Sequence, residues 1–124
     1  MLAVLNARRG AAAIAAARLD LAEESLSRSL ELFEALSGRP EAAQIRGTIA
    51  RVHLDRAVVS VLDGDEPAEA LRSLDDALSA SPTPEIVADM ADARAELAPL
   101  REMPAWQAIV EPTRHGANLN PVDP

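Results

Sequence analysis

Three carboxylates crowd a single turn, Asp63, Asp65 and Glu66, on either side of Gly64. A cluster of this kind could hold calcium. The helix–loop–helix calcium site, however, needs alternating oxygen ligands over about twelve residues, with glycine at the sixth and glutamate at the last. That spacing is absent here. What these residues fit is the start of a helix. Asp65 is expected to be the N-cap, accepting from the first free backbone N–H groups. Pro67 falls in the first turn, where a missing N–H costs nothing. Glu66 and Glu69 meet the positive end of the helix dipole. A second acidic set, Asp89, Asp92 and Glu96, recurs at i, i+3 and i+7. A di-metal centre on helices would need Glu-x-x-His motifs on facing helices. The chain has none, so this set reads as a solvated face.

The remaining candidates are basic. His53 lies between Val52 and Leu54, next to Asp55 and Arg56. A metal-binding histidine on a helix needs a second ligand at i+3 or i+4. Positions 56 and 57 are arginine and alanine, so His53 reads as a structural or groove-lining residue. His115 has no partner in sequence. Arg46, Arg51 and Arg56 recur at steps of five. Their guanidinium groups suit the acidic end of a peptide, although ion pairs with Asp55 and neighbouring helices are the plainer explanation. Arg46, His53 and Arg56 are taken as the candidate partner contacts. There is no G-x-S-x-G, no glycine-rich phosphate loop and no cysteine. Nucleophilic, phosphate-cradling and thiolate chemistry therefore have no carrier. The expectation is a protein that is not an enzyme, with no cofactor and no metal.

Composition narrows the class further. The net charge is −8, and phosphate backbones call for a basic surface, so nucleic acid is not an expected partner. No apolar run approaches the roughly 18 residues of a membrane span, and a cytoplasmic location is expected. Arg8-Arg9 before GAAAIAAA resembles a twin-arginine signal, but the apolar run is short and leads directly into helical pattern. All twelve basic residues are arginine, which fits a GC-rich, bacterial source. The aromatic residues are Phe33 and Trp106 alone. A core of alanine and leucine with so few rings implies close helix–helix packing in an all-α fold.

The elements that must position these residues follow from periodicity. A first helix is expected over Leu2–Arg18, with Gly10 either weakening it or admitting a close neighbour. A second runs over Leu21–Leu36, with Ala22, Leu26, Ser29, Leu30, Phe33 and Leu36 as its stripe and Glu24–Arg28 as a favourable i, i+4 pair. Ser37-Gly38-Arg39-Pro40 breaks the chain. The third and longest, Glu41–Leu62, is apolar on two faces, as a middle helix must be. Gly64 to Pro82 carries the fourth, with Ala70, Leu71, Leu74, Ala77 and Leu78 inward. A fifth is expected over Pro84–Leu97, with Ile86, Met90, Ala93 and Leu97 inward and Pro99 ending or kinking it. A short turn at Ala105–Val110 would fold Trp106 and Ile109 back. These make one domain over residues 1–110, followed by a disordered tail over 111–124.

The second and fourth helices align at an offset of 48 residues, Ala22 over Ala70, Leu26 over Leu74 and Ser29 over Ala77. With Gly64 before the turn and Pro82 at the exit, this pattern resembles the tetratricopeptide repeat (TPR) family. Arg9-Gly10 is similar to the family's first-helix glycine pair, with arginine where leucine is usual. Leu30 to Leu54 resembles the linked repeats of long bacterial regulators, and Leu100 to Val110 the segment that closes such arrays. The resemblance implies antiparallel helical hairpins stacked as a short array, a concave surface lined by the first helices, and a protein or peptide partner without catalysis. It leaves two alternatives: the C-terminal regulatory or sensor portion of a multidomain transcription regulator or signalling ATPase, and, remotely, a helical-bundle enzyme. Self-association through an exposed first helix is a further expectation.

Overall fold

The computed structural model describes residues 2–35 and 42–118. Among these residues the fold is all-α: α1 (Leu2–Ala15), α2 (Leu19–Glu34), α3 (Ala42–Leu62), α4 (Pro67–Ala80), α5 (Pro84–Ala93), a 3-10 turn (Ala95–Leu97), α6 (Ala98–Arg101) and α7 (Pro104–Asn118). The closest pairings are α1 with α2 and α3 with α4, consistent with stacked hairpins. The first helices α1, α3 and α5 are neighbours in that order, α2 packs on α3, and α7 closes the stack against α4 and α5.

The two hairpins turn in the same way. At the end of α3, Gly64 takes a left-handed φ of 78°. Its N–H donates to the Val61 carbonyl (3.2 Å), and the Asp65 N–H to the Ser60 carbonyl (3.0 Å). At the end of α1 the left-handed residue is Ala17, φ 60°. Its N–H donates to Ile14 (2.9 Å), and the Arg18 N–H to Ala13 (2.8 Å). Both are Schellman motifs, which satisfy the orphan carbonyls of a helix end. Asp65 is consumed in closing α3 and is not the N-cap of α4. That position is Glu66, without a side-chain capping bond, because Pro67 is the first helical residue.

Two apolar clusters meet at α3. One gathers Ala3, Ala13, Ala22, Leu26 and Phe33 with Val52 and Val59. The other gathers Ala50, Leu54, Ala57 and Val58 with α4, α5, Leu97, Leu100, Trp106 and Val110. The two apolar faces of the middle helix thus bury against different hairpins. The aligned seam is fully inside: Leu26 and Leu74 are both 0% exposed, and burying a leucine this completely stabilises by about 2 kcal/mol. Gly10 serves close approach, since a Cβ there would lie 2.5 Å from Leu26 Cδ2. Ser29 Oγ–H donates to the Ala3 carbonyl across the same seam at 2.7 Å.

The fifth element departs from its expected form. The helix stops at Ala93, and its inward residues are Val87, Ala88 and Ala91, while Ile86 and Ala93 are exposed and Met90 is half-buried. Arg94 is extended (φ −83°, ψ 111°) and reaches Asp55 of α3 at 3.0 Å. That pull breaks the helix before Pro99 can. Arg101 then donates Nη1 to the carbonyls of Ala91 (3.2 Å) and Arg94 (2.9 Å), taking over the role of a cap. Glu96 lies beyond the helix and pairs with Arg94, so Asp89, Asp92 and Glu96 do not share one helix face. Arg28 pairs with Glu31 (3.2 Å).

Trp106 folds back as expected, 1% exposed. The helix carrying it is longer than a single turn and continues through Pro112 to Asn118. Of the expected tail, residues 111–118 are helical, and 119–124 lie outside the described residues, as do Leu36 and the Ser37–Pro40 break.

Candidate functional site

A groove of about 210 Å³ runs between α1 and α3. Its floor is apolar, from Val4, Ala7, Ala11 and Val52, and its rim carries Arg8, Thr48, Arg51 and Asp55. The helical repeat explains the gathering. Thr48, Arg51, Val52 and Asp55 fall on one stripe of α3 at i, i+3, i+4 and i+7, as do Val4, Ala7, Arg8 and Ala11 on α1. Small residues on α1 leave the space. Asp55 is not a free acid on this rim, because Arg94 holds it with Glu96 alongside at 3.4 Å. Burial works against the charge of Arg94, but Asp55 and Glu96 outweigh it and raise its pKa above the ordinary arginine value. The rim therefore presents the exposed guanidinium groups of Arg8 and Arg51, next to an acid already neutralised by its own arginine.

Arg46, His53 and Arg56 lie on a different stripe of α3, which runs through Ile49. His53, Arg56 and Ile49 line a second cavity of about 390 Å³ with Leu30, Phe33 and Glu34 of α2. Arg46 donates Nε to the Ala80 carbonyl at the end of α4 (3.1 Å). The structure thus brings His53 and Arg56 together on the side of the second helices and ties Arg46 to a helix end. Arg51 alone of the arginines spaced by five faces the groove between first helices. Its partner there is Arg8, which in sequence stands out only as half of a signal-like arginine pair. Separating the two stripes of α3 by their phase would have found both sets.

His53 Nδ1 is buried without a hydrogen-bond partner. Burial pushes the imidazole pKa down and Arg56 adds to that, while Asp76 of α4 opposes it. Among the described residues, no group of three or more histidine or acidic side chains is placed to hold a metal ion. No helix among them is long and apolar enough to cross a membrane. Comparison with protein-family models, with curated proteins and with solved structures returns no match.

Proposed function

We propose that the protein is a non-catalytic interaction module with a TPR-like arrangement of hairpins, and that it takes an extended peptide or a partner's segment in the groove between α1 and α3. The observation carrying this reading is the groove itself: an apolar floor rimmed by Arg8 and Arg51. An apolar floor supplies affinity by burial, and guanidinium groups at its rim orient a chain bearing carboxylates. The pattern Ala22, Leu26, Ser29 and Ala70, Leu74, Ala77 supports the repeat reading, since all six side chains are buried at equivalent depth.

The test is affinity capture with mass spectrometry on three forms of the chain. The wild type is expected to retain a reproducible partner set. Arg8→Ala with Arg51→Ala is expected to lose it, whereas Arg46→Ala, His53→Ala and Arg56→Ala together are expected to keep it. An unchanged partner set in the groove double variant removes the groove assignment.

A further inference from the structure

The repeat relates the first helices at an offset of 47 residues, one fewer than the second helices, because the turn after Gly64 is one residue longer than the turn after Ala17. Ala3 then falls on Ala50 and Gly10 on Ala57, and all four are buried against their own second helix. Leu5 falls on Val52 and Ala12 on Val59. Here the equivalence breaks. Val52 (1% exposed) and Val59 (4%) are covered by the first hairpin. Leu5 is 59% exposed, and Leu2, equivalent to Ile49, is 64% exposed.

The molecule itself shows what covers such a face. On α3 the covering helix is α2, which brings Leu30, Phe33 and Glu34 to Ile49, His53 and Arg56. The same register on α1 presents Leu2, Asn6 and Arg9, which line a depression of about 380 Å³ with Leu21, Glu24, Ser25, Arg28 and Leu32 of α2. Arg9 stands where Arg56 stands and is the cation that faces outward here, since Arg28 on the wall is already paired with Glu31 and has Glu24 beside it. We propose that this outer face of the first hairpin receives an amphipathic helix from a partner protein, one that resembles α2: apolar side chains at i and i+3 and a carboxylate at i+4. The carboxylate meets Arg9 as Glu34 shares a cavity with Arg56. This surface is separate from the groove between α1 and α3, and binding at one does not require binding at the other.

The probe is a labelled synthetic peptide copying residues 19–35, with lysine in place of Arg28 so that its amine condenses with the Glu24 carboxylate into a helix-holding lactam, titrated into the full chain and followed by fluorescence anisotropy. Saturable binding is expected. Leu5→Asp should weaken it at least tenfold, and Ile86→Asp, on an exposed residue at the other end of the stack, should leave it unchanged. Arg9→Glu should weaken it as well, and a peptide with arginine in place of Glu34 should recover the loss. Circular dichroism of each variant confirms folding. Absence of saturable binding to the wild type, or binding indifferent to Leu5→Asp, overturns the proposal. So does a homodimer in sedimentation that Leu5→Asp dissolves, because the occupant would then be a second copy of this chain.

Discussion

The first hairpin, α1–α2, and the second, α3–α4, reach the same packing by opposite uses of glycine and alanine. Inside the helix–helix seam the first hairpin has Gly10 and the second Ala57. At the left-handed turn the first has Ala17 and the second Gly64. Glycine in a helix interior is unfavourable by about 1 kcal/mol relative to alanine, and alanine at a left-handed position is unfavourable by about 1–2 kcal/mol. The first hairpin therefore carries a local disadvantage at both positions, and the second at neither. The second also draws on a larger cluster, with α5, Trp106 and Val110 behind it. Identical topology in one chain thus comes with an unequal distribution of stability, and the weaker hairpin is the one with the exposed outer face.

That inequality can be broken from either side. The largest effect is expected at the seam. Gly10→Ala places a methyl group against the buried Leu26 side chain, and overpacking should outweigh the gain in helix propensity, with a net loss of about 2 kcal/mol by urea denaturation. The reverse change, Ala57→Gly, should cost about 1 kcal/mol from backbone entropy and a further ~0.8 kcal/mol for the fully buried methyl group it removes. A gain in stability at Gly10→Ala would mean that the two seams are not distinguished by close approach.

At the turns the signs should oppose. Ala17→Gly is expected to raise stability by about 1 kcal/mol, and Gly64→Ala to lower it by a similar amount. No atom lies within 4 Å of a Cβ built at Gly64, so its cost is conformational alone. Thermal melts of the two single variants and of the pair would read this directly.

The smallest effect separates His53 from Asn6, its equivalent on α1. Asn6 is internally satisfied through the Leu2 carbonyl at 2.9 Å and does not titrate. His53 has its pKa lowered by burial below the ordinary value of 6.5. The folded state then prefers the neutral ring. Its contribution to stability is complete above about pH 6.5 and declines as pH falls from there towards the folded-state pKa. The urea midpoint should drop between pH 7.5 and 5.5, and His53→Asn should flatten that drop. An unchanged slope in the variant would place the acid sensitivity elsewhere.

The hairpins were legible in sequence because their packing is local and periodic. Ala22, Leu26 and Ser29 repeat as Ala70, Leu74 and Ala77, and glycine, proline and charge mark the turns. The one-residue difference in turn length hid the matching of the first helices, which aligns only at 47. The end of α5 was illegible for another reason. Arg94 abandons the helix for Asp55, 39 residues earlier in the chain, and no window of local pattern contains both. The extension of α7 through Pro112 runs against proline's usual effect on a helix interior, where the lost hydrogen bond and ring clash cost about 3 kcal/mol. As for the groove, steps of five make no single stripe of Arg46, Arg51 and Arg56, and no local pattern on α3 points to Arg8 of α1 as the partner of Arg51. A helix turns by about 100° per residue, and this divides the three α3 arginines between two faces.

The placement of α3 in both apolar clusters has a consequence for the unfolding pathway. Each hairpin uses α3 as a wall, so loss of α3 exposes both clusters at once. Loss of α1 and α2 exposes only the smaller one. In native-state hydrogen exchange, the amides of α3 should report the global opening, and those of α1 a smaller, sub-global event at lower free energy. The chain would then behave as two nested cooperative units joined by a shared helix, and its outer unit is the one whose opening uncovers Val52 and Val59 to a competing helix.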